Sequence, residues 1–165
     1  MSVFTDVAAF HAAADLERPS VPTVPGPRFG SVALSQVQAM VKSLGLARRL
    51  SKELSLVNGD DVALRRIRLM VEELTETVVA ILEGDVVGTT DGLTDLQYVT
   101  AGSAVDFGID LDWAHRIVHD ANMAKRNPAT GKFDKDPANK IIKPEGWVGP
   151  EDKLIDMLIS SGWEV

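Results

Sequence analysis

The sequence predicts an all-α protein, a helical bundle with a long ordered loop near its C-terminus. Three observations carry that reading. Leu64, Ile67, Val71, Leu74, Val78 and Ile81 recur at alternating spacings of three and four, the seam of a helix packed in a bundle. Gly84 and Gly108 stand where helices would end, and Asp110 where the next would be capped. The polar–apolar alternation of half-buried strands is scarce. At 165 residues the chain fits one domain, read as 1–165, and is long enough to bury a core.

In chain order, residues 4–15 read as a short helix with Val7, Phe10 and His11 near one face. Residues 16–30 hold prolines and glycines too dense for a helix or a central strand, so an extended connector is expected. Residues 32–56 look helical and amphipathic, with a break expected at Gly45. Asn58-Gly-Asp-Asp61 is a turn that offers N-caps to the seamed helix over 61–83. Further helices are expected over 90–107 and 111–125. Residues 127–150, rich in Gly, Pro, Lys and Asp, read as a long ordered loop with room for a small hairpin. Such segments in a compact domain are often functional. A last short helix starts at Pro150-Glu-Asp and runs to Ser160.

Composition excludes several classes. The chain has no Cys, which rules out disulfides and thiolate metal sites. No apolar run reaches membrane-span length, and the N-terminus lacks the pattern of a secretory signal, so a cytoplasmic location and no membrane partner are expected. A net charge of −7 argues against a duplex nucleic-acid partner, which needs clustered Lys and Arg. It leaves room for small phosphorylated ligands, because a bound metal reverses the local sign.

Two acidic clusters stand out. Glu72, Glu73 and Glu76 fall within an arc of roughly 100° opposite the seam. Asp91 and Asp95 follow, again four apart. Like charges at that spacing weaken a helix by a few tenths of a kcal/mol, so a shared divalent cation is one reason to keep them. A solvated face is the simpler reading. Leu69 and Val79 flank the glutamates, however, and no Lys or Arg follows any of them at i+3 or i+4. Asp91 also reads as an N-cap or first-turn acid behind Thr89-Thr90. Carboxylates without His or Cys suit Mg²⁺, with Mn²⁺ as the alternative, and their number suits two or more ions bridged by phosphates.

These residues resemble a known group. Glu72-Glu73-Leu-Thr-Glu76 is similar to the EExxE motif of the MazG-like, dimeric-dUTPase-like all-α nucleoside triphosphate (NTP) pyrophosphohydrolases. Asp91-Gly-Leu-Thr-Asp95 resembles their second motif, ExxD, with Gly92 where the usual motif has Glu and Asp91 beside it. His119-Asp-Ala-Asn122-Met-Ala-Lys125 and Lys143-Pro-Glu-Gly-Trp147 resemble the HxxNxxK and KPEGW segments of a phosphoribosyl-ATP pyrophosphohydrolase-like subgroup. The resemblance covers about 64–149. Residues 31–60 are longer than it leads one to expect and read as an inserted helix.

The resemblance implies a helical bundle assembled as a homodimer or homotetramer. It implies Mg²⁺-dependent hydrolysis of an NTP or dNTP between the α- and β-phosphates. Glu72, Glu73, Glu76 and Asp95 would hold metal, with Asp91 a further ligand, and Glu73 is the candidate to orient the water. Lys125 and Lys143 would meet phosphates as flexible point charges, Asn122 would read a base or ribose edge, and Trp147 would stack on a base. Each has a plainer alternative: solvated lysines, a helix-end amide, a buried anchor for the loop.

Two other patterns carry less. His115 and His119 are spaced like zinc ligands, but the Glu of HExxH and a third ligand are missing, so they read as surface or interface histidines. Asp134, Asp136 and Glu145 echo an EF-hand, yet Ala138 and Asn139 stand where a ligand and the glycine belong. The rival expectations are phosphoribosyl-ATP as substrate, or a nucleotide-binding regulator without turnover.

Overall fold

The structure, a computed structural model, describes residues 2–16, 18–24, 31–59 and 61–164, with the backbone alone for 31–33. Its helices are α1 (Val3–Ala13), α2 (Ser31–Val57), α3 (Val62–Glu83), α4 (Val86–Asp106), α5 (Leu111–Met123) and α6 (Glu151–Ser160). The all-α expectation holds. By contacts the chain divides into two compact units, Pro19–Gly108 and Met1–Arg18 with Ile109–Val165. Residues 25–30 of the expected connector lie outside the described residues.

Pro19–Gly108 is built on α2, α3 and α4, with α3 packed against both neighbours. Asp61 caps α3, its carboxylate accepting from the Leu64 amide at 2.9 Å, and Gly84 ends it at φ 71°, a left-handed conformation that suits glycine. Asp85 then caps α4 at once, accepting from the Val87 and Gly88 amides at 3.0 Å each. The sequence places this start near residue 90, but the cap sits five residues earlier. α2 runs through Gly45 without the expected break. One glycine costs a helix about 1 kcal/mol, which the packing of a 27-residue helix against α3 absorbs.

α3 and α4 are antiparallel: Arg66 lies beside Gly102, Thr77 beside Gly92, and Ala80 beside Gly88. Small residues are buried on both helices, Thr75, Thr77 and Ala80 on α3 and Thr89, Gly92, Val99, Ser103 and Ala104 on α4. Buried hydroxyls bond back to their own helix, Thr77 to the Glu73 carbonyl at 2.7 Å and Ser103 to that of Val99 at 2.8 Å. The seam is therefore only half used. Leu64, Val71 and Val78 are partly buried, while Ile67, Leu74 and Ile81 remain 47, 41 and 38% exposed.

The other unit centres on Ala13, Ala14 and Phe133, with Phe10, Met123 and Ile141 packed around them. The rings of Phe10 and Phe133 lie 4.7 Å apart. The loop after α5 holds two isolated β-bridges, Arg126 with Phe133 and Lys135 with Ile141. Two of its lysines are not simply solvated. Lys132 donates to the Ala12 carbonyl at 2.9 Å and Lys135 to that of Ala14, placing cations at the negative end of α1. Among the described residues, no helix is long and apolar enough to cross a membrane.

Candidate functional site

Glu72, Glu73 and Glu76 share the middle of α3, but their surroundings differ. The guanidinium of Arg48, on α2, donates to Glu72 and to Glu76 at 2.7 Å each. Arg68, one turn before Glu72, approaches its other oxygen at 3.7 Å. Looking only forward from each acid, the sequence reading missed both arginines. Arg48 reaches the acids because α2 packs back along α3. The basic run Arg48, Arg49 and Lys52 just before an acidic helix was the available signal. Hydrogen bonding to Arg48 holds the Glu72 carboxyl below its ordinary range, helped by the nearby charges of Arg48, Arg68 and Lys52.

Glu73 behaves oppositely. It forms no ion pair with another described residue, and burial pushes its carboxyl up. The neighbouring charges of Glu76, Asp95 and Glu72 push it further, with Arg48 opposing. The influence of Asp95 follows from the register. With Thr77 beside Gly92, one turn back along α3 and one turn on along α4 brings Glu73 level with Asp95. The two acidic clusters thus belong to facing helices.

Asp91 is not an N-cap, because Asp85 holds that place; it lies in the second turn of α4, exposed, one turn before Asp95. Gly92 is buried, and a Cβ there would lie 2.6 Å from the Thr77 Oγ1. Its side faces α3, where a glutamate has no room. Among the described residues no three acidic or histidine side chains stand close enough together to hold one ion. The donor chemistry nevertheless fits a hard divalent cation: all are carboxylates, and Glu73 has no ion pair among the described residues.

Asn122, Lys125, Lys143 and Trp147 belong to the other unit, and there they converge. Lys125 donates to the Asn122 amide oxygen at 2.8 Å. The Lys125 and Lys143 ammoniums lie 4.9 and 4.2 Å from the centre of the Trp147 ring. The indole N–H donates to the Ala121 carbonyl at 2.8 Å, so Trp147 anchors the loop to α5. Its ring also lines a cavity of about 320 Å³ with Pro144 and Lys153. The result is a cationic cluster on an aromatic platform, suited to an anion attached to a flat group.

His115 and His119 stack with ring centres 5.9 Å apart. His115 is partly buried and bonds through Nε2 to the buried Asp6 carboxylate at 3.1 Å, a partner 109 positions away that no local pattern marks. Both histidines border a mostly apolar cavity of about 250 Å³ with Phe10, Val118 and Asn122.

The chain is similar to known proteins in part of its sequence and in its fold. Residues 51–122, spanning α3, α4 and most of α5, match the phosphoribosyl-ATP pyrophosphohydrolase family. No curated protein matches the chain. Among solved structures, a candidate NTP pyrophosphohydrolase from Exiguobacterium sp. 255-15 is similar over 98% of this chain and 96% of its own, at 22% identity and a TM-score of 0.60. That likeness is one of fold. The matched segment resembles that family, and the chain shares its fold with that solved structure.

Proposed function

We propose that the protein is a Mg²⁺-dependent pyrophosphohydrolase that cleaves nucleoside triphosphates, NTP or dNTP, between the α- and β-phosphates. The products are a nucleoside monophosphate and pyrophosphate. The observation that carries the reading is Glu73, a partly buried carboxylate with no ion pair among the described residues, under the charges of Glu72, Glu76 and Asp95. Glu72, Glu73, Glu76 and Asp95 would hold the metal, with Asp91 a further ligand one turn away; Mn²⁺ suits the same oxygens. When bound, the metal neutralises phosphate charge and eases deprotonation of water.

The chain's own part is to position and to move a proton. Glu73, held toward its protonated form, is suited to orient the attacking water and take its proton. Lys125 and Lys143 carry charges suited to phosphate oxygens, and Trp147 offers a face for a base. Asn122 supplies an amide that can read a base or ribose edge. We further propose a cytoplasmic homodimer or homotetramer, because Ile67, Leu74 and Ile81 leave an apolar stripe of α3 exposed for a second copy.

The family matched by residues 51–122 favours a second reading, phosphoribosyl-ATP as the substrate with the same bond cleaved. Pyrophosphate release from a panel of NTPs, dNTPs and phosphoribosyl-ATP, with Mg²⁺, decides between them. Release confined to phosphoribosyl-ATP selects the second reading. Nucleotide binding without release from any of them removes both and leaves a regulatory protein.

A further inference from the structure

We propose that Arg48 is a resident counter-ion of the acidic face, one that a divalent cation must displace from Glu72 and Glu76. The inference rests on the metal-dependent reading above. It adds a residue that lies outside the matched segment 51–122, on the helix the sequence marks as inserted.

The geometry is specific. One guanidinium nitrogen of Arg48 reaches carboxylate oxygens one turn apart on α3, at 2.7 Å each. Fixed positive charge between two acids is what a cation would supply, so the two compete for the same oxygens. The other cations near this face do not duplicate the role. Arg68 reaches Glu72 alone, at 3.7 Å, and Lys52 acts on Glu72 only through its field. Glu73 forms no ion pair with another described residue, so the Arg48 bridge constrains Glu72 and Glu76 alone.

Exchange is feasible because the bridge is not deeply buried. The side chains of Arg48 and Glu76 are 39 and 52% exposed, and ion pairs at such exposure are weak enough to open. Once displaced, the guanidinium remains tethered to α2, with donors that suit phosphate oxygens. Arg48 is thus a positioning residue. It keeps Glu72 and Glu76 aligned and sets how readily the acidic face takes a metal.

The test is Mn²⁺ binding by the full-length protein after chelator treatment, without nucleotide, followed by calorimetry and by electron paramagnetic resonance of free Mn²⁺. The proteins are the parent, Arg48→Gln and Arg48→Lys. Arg48→Gln is expected to bind Mn²⁺ about tenfold more tightly than the parent, with Arg48→Lys between the two. Thermal unfolding supplies a second measurement. Before metal is added, Arg48→Gln should melt below the parent, because the three glutamates lose their shared counter-charge. Mn²⁺ should then raise its melting temperature by more than it raises the parent's. Equal or weaker Mn²⁺ binding by Arg48→Gln overturns the counter-ion role while leaving the metal reading intact. Absence of Mn²⁺ binding in all three proteins overturns both.

Discussion

Gly92 on α4 sits against Thr77 on α3 so closely that a methyl group on Gly92 would come within 2.6 Å of the Thr77 hydroxyl and 3.0 Å of its Cα. The second of these atoms is backbone and cannot step aside. Gly92→Ala therefore sets a helix-propensity gain of about 1 kcal/mol against overpacking of about 1–3 kcal/mol. It also disturbs a hydroxyl already bonded to the Glu73 carbonyl. We expect a net loss of stability and a melting temperature lower by about 2–4 °C for each kcal/mol lost. Gly92→Glu, which restores the residue usual in the second acidic motif, should be much worse. A stabilised Gly92→Ala variant would show that the two helices do not meet here.

That contact also shows what the sequence reveals and what it hides. Helix periods, Gly84 and the Asp61 and Asp110 caps are local signals, so α3 and α5 were legible at or near their ends. The start of α4 was not, because Thr89 and Thr90 imitate a cap while the acting residue, Asp85, hides next to the glycine that ends α3. The partition of the acidic cluster was hidden for a different reason. Pairing between Arg48 and Glu76 spans 28 positions and depends on a hairpin that no local window contains. The lysines of the loop after α5 look alike in sequence, yet Lys132 and Lys135 cap α1 whereas Lys143 lies over Trp147.

The early start of α4 is itself testable. Asp85 satisfies two amides of the first turn, so Asp85→Ala should cost about 1 kcal/mol. Circular dichroism melts at neutral pH measure it. An unchanged melting temperature would mean that the helix begins later, near Thr90, where the sequence alone would put it.

Glu72 and Glu73 make opposite predictions for stability against pH. Glu72 is held below its ordinary value of 4.5, so it stabilises the fold above that pH and loses this contribution as pH falls through its depressed value. Glu73 is raised above 4.5, so its contribution is fully present below that pH and is lost as pH rises through its raised value. At pH 7, Glu72→Gln should therefore lower the melting temperature and Glu73→Gln should raise it. Both differences should shrink toward pH 3. In the proposed reaction Glu73→Gln should also abolish turnover, because the amide cannot accept a proton from water. A variant that is more stable yet inactive separates the chemical role of Glu73 from a structural one. Retained turnover removes Glu73 from the mechanism.

Lys125, Lys143 and Trp147 form the cluster most open to a direct optical test. Two ammoniums within 5 Å of one indole polarise its excited state, and a bound anion would draw them away or screen them. Trp113 and Trp163 also emit, so the measurement needs Trp113→Phe and Trp163→Phe in the background. Inorganic pyrophosphate and nucleotide should then change the Trp147 emission in a saturable way. Lys143→Ala makes no hydrogen bond that α5 depends on, so it should leave the fold intact. Its expected effect is a rise in KM of about tenfold with kcat little changed, the pattern of a lost ground-state contact. Lys125→Ala should do more, because it also frees the Asn122 amide that Lys125 holds at 2.8 Å. Unchanged emission and unchanged KM in both variants would leave the lysines as loop fasteners around Trp147, and the phosphate contacts would have to come from other residues.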